Sequence, residues 1–224
     1  MKPLWAITIA LMLSAILAVA VGAQTQAGAQ KTEMTPRGAA IAAHGTSAGA
    51  VACARCHGFD GLSDSSGAFP ILANQHADYL SKQLRDFSSG TRLNAIMTPI
   101  AKALNDEEID AVAQYYATVR ATTVPPPARS PDLVKRGETL ATMGDMDRQV
   151  LPCTACHGPQ GIGAPPVTPY LAGQYGPYLV SQMVMFSRGS RKNALMYTEA
   201  HTLAEGDYEA LGAYFEGLPR PSAE

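Results

Sequence analysis

Cysteine is scarce and confined. The 224-residue chain has four, and all four lie in two five-residue stretches. That argues against a disulfide framework, because the members of each pair stand within one turn and cannot staple distant segments. A surplus of charge of either sign is also missing. Formal net charge is −2. From residue 24 onward the two halves carry eight basic against nine acidic residues and eight against ten. No basic run with interleaved aromatics occurs, so neither half is a nucleic-acid surface. No convincing alternation of apolar and polar residues marks a strand. The composition, 46% apolar and 16% charged, is that of a soluble globular protein. The length suggests one or two domains.

What is there is a pentapeptide that occurs twice. It reads Cys53-Ala54-Arg55-Cys56-His57 and Cys153-Thr154-Ala155-Cys156-His157. C-x-x-C-H is the attachment sequence of c-type haem: two sulfurs add to the haem vinyl groups, and the histidine binds iron. A zinc site would need both cysteine pairs to meet in one tetrahedron, and it leaves the two histidines unexplained. A thioredoxin-like redox pair wants a βαβ setting, which is not seen. The expectation is two covalently bound haem c groups.

The pentapeptides sit inside a larger repeat. Residues 69–97 and 168–196 align at an offset of 99. They share Pro70/Pro169, Gln75/Gln174, Tyr79/Tyr178, Gln83/Gln182, Phe87/Phe186, Arg92/Arg191, Asn94/Asn193 and Met97/Met196. A whole domain is duplicated. Residues 35–121 form the first copy and 132–224 the second. The proline-rich stretch 122–131, with Pro125-Pro126-Pro127, forms a semi-rigid linker between them. Each copy reads as helical. Helices are expected from near Pro36 and Asp132, over about 76–88 and 175–187, and after Asn105, where Glu108 completes a capping box. Ile109, Val112, Ala113 and Tyr116 recur at the period of a buried helical face.

Residues 1–23 have a basic start, an apolar run and small residues at Val21-Gly22-Ala23. This pattern is a secretory signal peptide, the alternative being an uncleaved anchor. Haem c attachment takes place outside the bacterial cytoplasm, so export to the periplasm agrees with the pentapeptides. Association with the membrane is expected to be peripheral at most.

The second axial ligand of each iron decides the chemistry. Met97 is the only methionine in copy one after the haem motif, and the repeat selects Met196 among several in copy two. Both are expected in a loop, with His57 and His157 as the opposite ligands. Met183 and Met185 read as core packing. His44, His76 and His201 lack histidine counterparts in the other copy and read as surface or supporting residues. Pro70 and Pro169 stand where a carbonyl could hold the free nitrogen of each histidine, or could simply turn the loop. Arg92/Arg191 and Tyr79/Tyr178 are candidates for pairing with haem carboxylates, or for ordinary helix-end and core roles.

Taken together, CARCHG and CTACHG, the strings LANQHADYLSKQLRDFSSGTR and LAGQYGPYLVSQMVMFSRGSR, and NAIM and NALM make the chain resemble the di-haem class I cytochromes c, most closely cytochrome c₄, over about residues 35–220. The resemblance implies an all-α protein of two tandem cytochrome c-like haem domains related by pseudo-twofold symmetry. It implies a periplasmic electron carrier rather than an enzyme, serving redox proteins such as a terminal oxidase, a reductase or a dehydrogenase. The ligand sets it implies are His57 with Met97 and His157 with Met196. The family also includes di-haem subunits of larger dehydrogenases, such as the cytochrome subunit of flavocytochrome sulfide dehydrogenase. A di-haem peroxidase would need an open iron, which methionines at matched positions oppose.

Overall fold

The computed structural model describes residues 35–120 and 125–220. The expected signal peptide lies outside them, as does the start of the linker. No strand occurs among the described residues, only isolated bridges. No helix among them is long and apolar enough to cross a membrane. The first half has α1 (35–44), α2 (Ala54–His57), α3 (Ala77–Ser89), α4 (Met97–Lys102) and α5 (Asp106–Thr118). The second repeats the order with α6 (Pro131–Met143), α7 (Thr154–His157), α8 (Gly176–Ser187), α9 (Ala194–Thr202) and α10 (Glu205–Gly217). The described residues are thus all-α and built of two halves with the same order of helices.

Local chemistry sets the boundaries. At α5, Asn105 accepts from the Glu108 N–H while the Glu108 carboxylate accepts from the Asn105 N–H, each at 2.9 Å. α3 stops at Gly90, whose φ of 83° favours glycine. Pro131, which the run of prolines groups with the linker, is instead the first residue of α6. A missing N–H is harmless there.

In each half the first and last helices cross at a glycine. A Cβ on Gly38 would lie 2.0 Å from the Ala111 carbonyl oxygen, and one on Gly137 would lie 2.0 Å from that of Ala210. The crossing therefore has no room for a side chain. Ile41, Leu80, Ile109, Val112, Tyr115 and Tyr116 form the core of the first half. Leu140, Leu179, Leu211 and Phe215 form that of the second.

The halves meet through side chains that the repeat supplies twice. Arg92 donates to the Tyr178 hydroxyl (3.0 Å) and the Gln182 carbonyl (2.6 Å). Arg191 donates to the Tyr79 hydroxyl (2.9 Å) and the Gln83 carbonyl (2.7 Å). Each guanidinium also lies 4.4 Å from the ring centroid of its own half's Phe87 or Phe186. The tyrosine and arginine pairs thus join the halves. Burial alone would raise the Tyr178 phenol, but the two guanidiniums beside it bring it below its usual value. Within the linker, Arg129 pairs with buried Glu216 at 2.7 Å.

One feature is not duplicated. Asp207, fully buried, accepts from Arg136 (2.6 Å), Arg148 (2.6 Å) and the Ala204 N–H (2.9 Å), tying the loop after α6 to the start of α10. Burial would raise this carboxyl, but Arg148, the Ala204 N–H and Arg136 hold it below the usual carboxylate range. A folded value below the unfolded one gives stability that is present above about pH 4 and lost as pH falls through the folded value. Asp207→Asn is expected to cost about 2 kcal/mol at neutral pH, the low side for a broken buried pair because both arginines can rehydrate. It should also flatten the acid limb of the stability profile. Guanidinium unfolding of the holoprotein between pH 3 and pH 7 measures both effects.

Candidate haem sites

Each pentapeptide forms one helical turn. α2 follows Cys53 and ends on His57; α7 follows Cys153 and ends on His157. Backbone bonds from the histidine N–H to the first cysteine carbonyl close the turns, at 3.0 and 2.9 Å. The i, i+3, i+4 spacing then sets both sulfurs and the imidazole on one side of the turn. Gly58 and Gly158 end the turns at φ 71° and 74°.

The histidines are held as the spacing predicts. His57 Nδ1–H donates to the Pro70 carbonyl and His157 Nδ1–H to that of Pro169, both at 3.3 Å. A carbonyl can only accept, so Nδ1 carries the proton and Nε2 is left with its lone pair. Burial lowers both imidazoles below their usual value, with the proline carbonyl partly offsetting it. Each is therefore neutral, the form that binds a metal.

None of the four cysteines is paired in a disulfide. Burial pushes Cys53 and Cys153 up to about 11. A redox pair of the thioredoxin kind needs the opposite shift, toward thiolate. The described residues also contain no cluster of three or more metal-binding side chains that would suit zinc. Paired thiols beside a neutral, pre-oriented imidazole fit haem c. Cys53, Cys56 and His57 would hold one group, and Cys153, Cys156 and His157 the other.

The methionines are positioned differently from expectation. Met97 is the first residue of α4 and Met196 the third of α9, not loop residues. The cause is the asparagine three places earlier. Asn94 Oδ1 accepts from the Met97 N–H at 2.9 Å, and Asn193 Oδ1 from the Met196 N–H at 3.0 Å. Asn193 is the cap residue of α9, whereas α4 begins after Ile96 and Asn94 makes the same bond from the turn ahead of it; the pattern NAIM/NALM showed only a repeat. Both methionines are half-buried, while Leu93, Ile96, Leu195 and Tyr197 beside them are exposed. Each methionine-bearing helix is tied to the loop ahead of its haem motif. Thr46 Oγ1 donates to Ala103, just past α4, at 3.3 Å. The Leu151 N–H donates to Glu199 of α9 at 3.1 Å.

His44 and His201 are exposed. His76 stacks on Tyr170 of the other half at 4.2 Å, and its Nε2 lies 3.2 Å from the Ile162 carbonyl. Tyr175, at the equivalent position, bonds the Leu62 carbonyl in the same way. Gln75, Gln174, Asn94 and Asn193 have structural roles that residue chemistry alone does not reveal, although the repeat marked all four.

Comparison with known proteins gives a consistent result. A family model for cytochrome c matches residues 37–120. The chain is 41% identical over 177 residues to the thiosulfate dehydrogenase electron acceptor of Stutzerimonas stutzeri (strain A1501), covering 78% of this chain and 82% of that one. A solved thiosulfate dehydrogenase (TsdBA) from Marichromatium purpuratum superposes with a TM-score of 0.75 at 37% identity, over 83% of this chain and 40% of that one. The chain therefore spans less than half of that longer protein. Reduced cytochrome c₄ from Pseudomonas stutzeri superposes with a TM-score of 0.69 at 34% identity, over 75% of this chain and 93% of that one.

Methionine ligation to ferric haem gives a charge-transfer band in the red. Met97→Ala and Met196→Ala are each expected to remove about half of it, and the double variant all of it. Absorption of the oxidised holoprotein reads this directly. An unchanged band in both single variants would refute the assignment.

Proposed function

Because the chain belongs to the di-haem cytochrome c₄ family, and is an electron-transfer protein carrying covalently bound haem c, we propose that it is exported to the periplasm and accepts electrons from a thiosulfate-oxidising dehydrogenase. The observation that carries the choice of donor is the order of likeness. Identity and TM-score are higher to an electron acceptor of thiosulfate dehydrogenase and to a thiosulfate dehydrogenase structure than to the solved cytochrome c₄. Export is supported by the N-terminal apolar stretch and by the site of haem c attachment.

Bound haem c supplies one-electron chemistry at iron. The chain's own residues set the conditions for it. Cys53, Cys56, Cys153 and Cys156 anchor the groups. His57 and His157 offer neutral Nε2 atoms whose orientation the proline carbonyls fix. Met97 and Met196 would offer thioethers, ligands that raise the potential of haem iron. Phe59, next after Gly58 behind the first haem motif, and Leu93, Ile96, Leu195 and Tyr197, beside the two methionines in sequence, expose apolar side chains. With net charge near zero, exposed apolar side chains suit docking by apolar contact with modest electrostatic steering.

The longer thiosulfate dehydrogenase chain also fits a second reading, in which this chain is a permanent subunit of such an enzyme. One experiment addresses both. The oxidised holoprotein is mixed with a purified thiosulfate dehydrogenase and thiosulfate in a stopped-flow instrument, and the same mixture is run on gel filtration. Full reduction of both haems at a rate proportional to enzyme concentration, with separate elution, is expected of a carrier. Co-elution indicates a subunit. No reduction above the rate with thiosulfate alone rejects this donor.

A further inference from the structure

We propose that Gln75 and Gln174 are positioning residues that act across the pseudo-twofold axis, each fixing the carbonyl that holds the other half's haem-binding histidine. The inference rests on the reading of His57 and His157 as iron ligands.

The geometry is continuous. Gln174, in the second half, accepts the Ile71 N–H of the first half at 2.9 Å and donates to the Ile71 carbonyl at 3.0 Å. Ile71 directly follows Pro70, so its N–H and the Pro70 carbonyl belong to one planar peptide unit. That carbonyl is the acceptor for His57 Nδ1–H. Gln174 grips one end of the plane and His57 the other. The arrangement is reciprocal. Gln75, in the first half, accepts the Tyr170 N–H at 2.9 Å and donates to the Tyr170 carbonyl at 3.1 Å. Tyr170 follows Pro169, whose carbonyl holds His157 Nδ1–H.

Both glutamines are almost wholly buried, at 4% and 3% exposure. Each oxygen also accepts the next residue's N–H, from His76 at 3.0 Å and from Tyr175 at 3.1 Å. Neither amide can turn without stranding buried polar groups. A peptide whose N–H is engaged presents a more polarised carbonyl, since hydrogen bonds in a chain strengthen one another. A firmer bond at Nδ1–H raises the basicity of Nε2, which favours the ferric ion. Each histidine's donor strength is thereby set partly from the opposite half, and parting the halves would change both sites together.

The test uses the holoprotein with Gln174→Met, which keeps volume but removes the bonds, and Gln75→Met as its reciprocal. NMR of the reduced form, with signals assigned to each half by NOEs to its own residues, follows exchange of the two histidine Nδ1–H protons. Voltammetry follows the two potentials. Gln174→Met should speed exchange at His57, raise the potential of the first-half haem and leave His157 unchanged. Gln75→Met should do the converse. If Gln174→Met does not load haem, Gln174→Asn, one methylene too short to reach, repeats the measurement. Effects confined to the half that carries the substitution, or unchanged exchange at both histidines, would overturn the proposal. The ligand reading fails separately, if the wild-type His57 and His157 ring protons lack the large upfield shifts of haem ligation.

Discussion

The structure depends on a hydrogen bond made twice, from a histidine Nδ1–H to a proline carbonyl thirteen residues ahead in one half and twelve in the other. A one-turn helix can bring two thiols and an imidazole to one side, but it cannot fix the ring's rotation. The carbonyl does, and it also selects the tautomer. The loop from the motif to the proline is accordingly pinned along its length. Gly61 and Gly161 carbonyls each accept two backbone N–H groups from residues just past the proline. In the first half Tyr116 adds a bond from its hydroxyl to the Gly58 carbonyl at 3.0 Å.

Duplication gave the two halves the same side chains, and the interface uses each of them at both ends. Tyr79, Gln83 and Arg92 meet Tyr178, Gln182 and Arg191 so that every arginine reaches across to a tyrosine and a glutamine of the opposite half. Two buried guanidiniums with only neutral hydrogen-bond partners would be costly in apolar surroundings. Here the aromatic faces of Phe87 and Phe186 and the polarised phenol of Tyr178 offset the charge. The halves differ where symmetry is not required: His76 against Tyr175 at the seam, and the Asp207 ion cluster in the second half alone.

Much of this was legible in the sequence. The two C-x-x-C-H turns, the repeat at an offset of 99 and the Asn105–Glu108 cap needed only spacing and residue type. Other features were not legible, because they depend on which surfaces meet. Arg92 and Tyr79 were equally compatible with a haem carboxylate and with a helix end; only the docking of the halves assigns them to the seam. Gln75 reads as an ordinary polar residue until Tyr170 of the other half is placed against it. The methionines were expected in a loop because a six-residue helix such as α4 has too short a pattern to detect. The asparagines that accept the methionine N–H groups were visible only as repeated letters.

With Met97 and Met196 as the proposed second ligands, both redox centres would be closed to added ligands and would only pass single electrons. Adding carbon monoxide to the fully reduced holoprotein tests this most directly, because the gas binds ferrous haem wherever a coordination position is open. The account requires both haem spectra to stay unchanged on the timescale of mixing. Rapid, stoichiometric binding at one haem would contradict it and point to ligand chemistry at that iron.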